Sequence, residues 1–142
     1  MFKYLKLFLL SSSCLIIGCN TTKDERLLID FSTDSSAIVI TNITPSGLLQ
    51  LKNHLETDSA YQKLVTVLQT PADNDSTGME INWPGKLLLK QDQLVFSPDT
   101  PFAKGKSYLV ETILNSRFAS AKEILKSEVG HAVKSQQQIL KR

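Results

Sequence analysis

Oxygen-bearing side chains crowd the run Asp73-Asn74-Asp75-Ser76-Thr77-Gly78, and a glycine closes it. Hard cations take carboxylate and hydroxyl oxygens at alternate positions, and the glycine allows a sharp turn, so Asp73, Asp75 and Thr77 resemble the first half of a calcium loop. The second half departs from that pattern. Glu80 stands where an apolar residue is expected, and Pro84 where a bidentate glutamate should close the shell. The competing expectation is a polar loop held by an Asx turn. Other reactive groups are isolated. His54 has only Glu56 nearby and His131 has no ligand-type neighbour at the right spacing, whereas zinc needs three or four converging ligands. No serine sits in a Gly-x-Ser-x-Gly elbow, and Ser46, beside Gly47, falls at a helix start. Carboxylate pairs that cleave sugars are defined by a separation in space, which residue order hides. The expectation is a chain that is not an enzyme and holds no cofactor. Trp83, next to Pro84, has two readings: an exposed ring that stacks on a sugar, or a core ring beside an apolar hairpin.

Short β-rich runs must position these residues. Leu27 to Phe31 and Ala37 to Thr41 flank a turn-like Ser32 to Ser36 and predict a hairpin. Thr44-Pro45 marks a helix start, since Thr caps an orphan amide and Pro at the first position loses no hydrogen bond. Leu48, Leu51 and Leu55 then give one apolar face, predicting a helix over Pro45 to Leu55. Tyr61 to Thr70 is expected as a strand, Met79 to Trp83 as a short edge segment, and Lys86 to Ser97 as a hairpin turning at Gln91-Asp92. Tyr108 to Leu114 is apolar on both sides, which predicts a central strand. Phe118 to Leu125 has helical spacing, Val129, His131 and Val133 alternate as a strand does, and Gln136 to Arg142 is expected to be partly frayed. The class is mainly β, a sandwich with one short helix inserted, with α+β as the alternative.

The N-terminus predicts location. Lys3 and Lys6 precede a short apolar run ending at Ile16-Ile17-Gly18-Cys19. That order is a secretory signal, and the run is too short for a stable bilayer span. The last four residues resemble the lipobox of bacterial lipoproteins. The resemblance implies removal of residues 1–18, lipid on Cys19 and a soluble domain on a tether over 19–26. Two or more acyl chains hold a protein durably at a bilayer. Asn20 does not match the aspartate that retains some lipoproteins in the inner membrane, so the outer membrane is expected. Lys23-Asp24-Glu25 resembles a short signal for the cell surface, and reads equally as a solvated tether. Cys14 leaves with the signal, so the mature chain holds no disulfide. The whole chain has 16 basic and 14 acidic residues, and losing Lys3 and Lys6 leaves 14 of each. That balance argues against a nucleic-acid partner. The last third is basic, which could rest on anionic headgroups but more simply makes a solvated surface.

Leu94-Val95-Phe96-Ser97-Pro98, then Pro101-Phe102, Gly105 and Tyr108-Leu109-Val110, resembles a bacterial immunoglobulin-like domain. Prolines stiffen the strand connection, Gly105 permits a turn that other residues resist, and Tyr108 can bury its ring while its hydroxyl bonds nearby backbone. The match covers about residues 80 to 114, inside a domain expected over 27–142. Small lipobox proteins carrying such a domain form a loose group, mostly without assigned activity. The resemblance implies a lipid-anchored binding or structural module of the outer membrane, whose partner is another envelope protein or a surface polysaccharide. The alternative is a carbohydrate-binding accessory protein using Trp83 and the Asp73 to Gly78 loop.

Overall fold

Strict alternation builds the first sheet. The structure, a computed structural model, describes residues 26–72, 75, 77–114 and 135–142. Ile29, Ile38, Ile40, Leu87, Leu94 and Phe96 are buried, and the residues between them face outward. They lie on β1 (Leu28–Phe31), β2 (Ile38–Thr41), β5 (Gly85–Lys90) and β6 (Gln93–Pro98), in the order β1-β2-β6-β5. The second sheet takes β3 (Val65–Gln69), β4 (Ile81–Asn82), β7 (Ser107–Thr112) and β8 (Gln136–Lys141), in the order β4-β3-β7-β8. Every pairing is antiparallel. Both sheets contribute to one core, with Val65, Val67, Tyr108, Val110 and Leu140 coming from the second. Among the described residues the protein is a mainly-β sandwich with one short α-helix. Lettered in chain order as A, B, C, C′, D, E, F and G, the strands run A-B-E-D and C′-C-F-G, the strand order of an immunoglobulin sandwich.

Several elements follow local chemistry closely. The helix α1 spans Pro45–His54 between β2 and β3, with Pro45 at its start, and Gly47 N–H donates to Thr44 Oγ1 at 3.2 Å. Leu51 and Leu55 anchor its inner side. Gln91 and Asp92 both take positive φ, 48° and 62°, as a two-residue type I′ hairpin turn requires. Asp92 also meets Lys52 of α1 at 2.8 Å, an exposed pair worth little by itself.

Two expectations change. Tyr61 to Thr70 is not all strand, because Tyr61–Lys63 form a single 3-10 turn before β3 begins at Val65. Asp58 starts that turn by accepting from Ala60 N–H at 2.9 Å, and the turn brings both Tyr61 and Leu64 inside. Gln136 to Arg142 is not frayed. It is a full edge strand, paired to β7 from Ser107↔Lys141 to Thr112↔Gln136, with Arg142 N–H donating to Lys106 O. The leader over 1–18, Cys19, the helix expected over Phe118 to Leu125 and the strand through His131 lie outside the described residues.

One glutamine on each side of the sandwich joins the sheets. Gln136 on β8 accepts from Leu27 N–H at 3.0 Å and donates to Leu27 O at 2.7 Å. Gln62 accepts from Leu87 N–H on β5 at 2.9 Å and donates to Leu87 O at 3.2 Å. Each side-chain amide copies a backbone pair at an edge where no strand is available. Alanine at Gln62 leaves the half-buried edge groups of Leu87 without these bonds, so a loss of about 1–3 kcal/mol is expected in urea unfolding. Gln62→Glu should lose part of this, because a carboxylate cannot donate to Leu87 O.

Candidate functional site

At the end of the sandwich near the β1–β2 and β6–β7 connections, four aromatic rings close the core. Tyr108 and Phe102 meet edge-on at 4.7 Å between centroids, Phe31 lies 5.1 Å from Phe102, and Trp83 lies 5.4 Å from Tyr108. Trp83 also stacks toward Phe102 at 6.4 Å and donates its indole N–H to Thr100 O at 3.0 Å. Its donor and one face are therefore occupied within the fold, leaving it half-buried. Of its two sequence readings, the geometry favours the core ring.

The residues expected at a calcium loop are only partly in view, since Asp73 lies outside the described set. Asp75 is exposed and accepts from Thr77 N–H at 3.1 Å and from Thr77 Oγ1 at 3.0 Å. These bonds hold its carboxyl below the usual carboxylate range. This is the geometry of an Asx turn. The same device recurs, unforeseen, at Asp34 in the β1–β2 connection. Ser32 Oγ donates to Asp34 at 2.6 Å, and Ser36 adds its N–H and its hydroxyl. Ser32 first, then Ser36, hold the Asp34 carboxyl at about 2. A folded pKa below that of an ordinary aspartate means that the turn's contribution is present above about pH 4 and is lost as pH falls through about 2. A carboxyl titration followed by NMR should give an Asp34 midpoint near 2, with loosening of the Ser32 to Ala37 amides over the same window.

His54 sits on the exposed side of α1, 5.2 Å from the Tyr61 ring, and Ser46 Oγ lies 3.2 Å from Thr44 Oγ1 in the first helical turn. His131 lies outside the described residues. Among the described residues no three His, Cys, Asp or Glu side chains converge.

What the fold does assemble is a surface on the second sheet. Register sets Leu68, Leu109 and Ile139 side by side on the outer faces of β3, β7 and β8. Ile139 is 61% exposed. At the β4 edge the row ends on a polar residue, because Asn82 pairs with Leu68, while Ile81, 57% exposed, pairs with Gln69 on the other face of the sheet. A polar row borders the apolar one on one side, where Gln137 donates to Glu111 across β7 and β8. On the other side Ser107 and Lys141 stand opposite each other, beside a cleft of about 270 Å³ lined by Thr70, Pro71, Gly105, Lys106, Ser107 and Lys141. Sequence reasoning missed this face because its members come from three separated segments, each with a single outward apolar residue. Pairing register alone makes them neighbours. Compared with known proteins, the chain matches no family model, no curated protein and no solved structure.

Proposed function

We propose that the protein is a lipid-anchored, non-catalytic binding or structural module of the bacterial outer membrane, built on an immunoglobulin-like domain. The observation that carries the reading is the apolar row Leu68, Leu109 and Ile139, set in register on the outer face of the second sheet, with Leu68 and Leu109 half-buried and Ile139 61% exposed. Exposed apolar surface of this kind belongs to protein contacts more than to solvent. Another envelope protein fits it better than a polysaccharide, because sugar recognition uses open aromatic faces and Trp83 is packed against Phe102 and Tyr108. Acylation at Cys19 supplies the anchor in this reading. Seven residues separate Cys19 from Leu27, a tether reaching about 25 Å when extended.

The two halves of the proposal are tested separately. Metabolic labelling with a palmitate analogue should mark the protein and leave Cys19→Ser unmarked, and equal labelling of both would remove the anchor. A photo-crosslinking residue at Ile139 should capture an envelope protein in intact cells, whereas the same residue at Lys90, on the other sheet, should not. Identical patterns from both positions would remove the interface.

A further inference from the structure

The cleft at the end of the second sheet is a separate feature from the apolar row, and its chemistry is one-sided. It forms where β3 ends, β7 begins and β8 ends, lined by Thr70, Pro71, Ala72, Gly105, Lys106, Ser107 and Lys141. Among the described residues, the charged side chains on that lining are the two lysines. Both are exposed, and among the described residues neither has an ion-pair partner. The neighbouring carboxylates are otherwise engaged. Glu111 accepts from Gln137 along the sheet, and Asp75 accepts from Thr77 in its own turn. The polar side-chain groups are hydroxyls. Thr70 Oγ1 donates to Ser107 O at 3.2 Å, so its proton is spent within the fold and the hydroxyl donor left on the lining is that of Ser107. Ser107 stands directly opposite Lys141 in the β7–β8 register, so its side chain and the Lys141 stem share one face.

The frame around this group is fixed. Gly105, at φ 72°, turns the chain into β7, and its N–H donates to Arg142 O at 2.8 Å. Arg142 N–H donates to Lys106 O at 3.0 Å, and its guanidinium donates to Phe102 O. The end of β8 is thus stitched to the connection that carries Lys106. Lys104, next to Gly105 in the same turn, adds a third positive charge at this end of the molecule.

From this arrangement we propose that the cleft binds a phosphoryl group. Three observations select that chemistry. Among the described residues the lining carries positive charge and no acid, so the ligand is an anion. At about 270 Å³ the cleft falls just below the range of ordinary small-molecule pockets, so it takes a head group or a single phosphorylated sugar and not an extended ligand. The donors are separate ammoniums and a hydroxyl, arranged around a space, and the one nearby guanidinium is spent on Phe102 O. A planar carboxylate is best held by a bidentate guanidinium fork, whereas a phosphoryl group, with three oxygens pointing apart, suits dispersed point charges. The phosphoryl group could belong to a soluble or glycan-borne phosphate or to a lipid headgroup. The cleft lies at the opposite end of the sandwich from Leu27, where the chain enters β1, since Leu27 bonds Gln136 at the start of β8 and the cleft takes Lys141 at its end.

The test uses the full chain in a neutral detergent. Glucose 6-phosphate, inorganic phosphate and acetate are titrated at equal ionic strength while the amide signals of Lys106, Ser107 and Lys141 are followed by NMR. Both phosphates should shift these amides saturably and acetate should not. The exposed double variant Lys106→Gln/Lys141→Gln should melt with the parent protein and bind at least tenfold more weakly, and Lys90→Gln, at the other end of the sheets, should bind as the parent does. A parallel arm adds phosphatidylglycerol to the detergent micelles and follows the same amides. Shifts with phosphatidylglycerol that the double variant loses, with no response to the soluble phosphates, assign the same site to a lipid phosphate. Equal shifts with acetate, or undiminished binding by the double variant in both arms, would overturn the proposal. None of these readouts involves Ile139, so failure here and failure of the protein interface are distinguishable.

Discussion

Tyr108→Ala is expected to cost the domain about 4 kcal/mol, the upper part of the range for removing a large buried ring. The ring is fully buried and touches Phe102, Trp83 and Phe31 at 4.7, 5.4 and 6.4 Å between centroids. Its loss opens a cavity at the point where both sheets and the β6–β7 connection meet, and three neighbouring aromatic rings cannot all collapse into it. The hydroxyl contributes separately. Tyr108 Oη accepts from Ala103 N–H at 2.7 Å, five residues upstream, which fixes the connection as tyrosine corners do in sandwich domains. Tyr108→Phe keeps the ring and leaves that N–H unpaired, so about 1 kcal/mol is expected. Urea unfolding of the two variants separates packing from hydrogen bonding. A loss below about 1 kcal/mol for the alanine variant would mean that the ring is not part of the core.

Gly85→Ala is expected to cost about 3 kcal/mol, a large effect for one methyl group. A Cβ at this position would lie 2.5 Å from Ser97 O, 2.6 Å from Phe96 Cζ and 2.8 Å from Pro98 Cα. Two of those atoms are backbone on the paired strand, where Gly85 faces Pro98, so a rotamer change cannot relieve the clash. Relief requires β5 to shift away from β6. For a domain of this size the fall in melting temperature is on the order of 15 °C. Gly105→Ala is the internal contrast. Nothing lies within 4 Å of a Cβ there, and the cost comes only from φ +72°, about 1 kcal/mol. A thermal melt that ranks the two substitutions in the opposite order would refute the steric account.

Much of the local structure was legible because it depends on residues near each other in the chain. Thr44-Pro45 capped a helix, Gln91-Asp92 turned a hairpin, and the alternation of Leu94, Val95 and Phe96 assigned inner and outer faces. The run Tyr61 to Thr70 misled because its residues satisfy both periods, and Asp58 settled the choice by starting a 3-10 turn. The polar strand Gln136-Gln137-Gln138 misled in another way. Its composition gives no reason to pair, yet Gln136 bonds Leu27 across 109 positions and the rest completes the ladder to β7. Long-range pairs of that kind leave no mark on local composition.

By itself, then, the sequence determined most of the strands and turns, and the β-rich class, because backbone preference and side-chain alternation act over a few residues. It also contains the lipobox-like run ending at Cys19, which needs no fold to be recognised. Only the tertiary structure decided that Trp83 faces Phe102 and Tyr108, that Leu68, Leu109 and Ile139 share one outer face, and that Lys106 and Lys141 flank a common cleft. The physical reason is register. Antiparallel pairing brings residues tens of positions apart to within about 5 Å, and no single segment encodes which of them will meet.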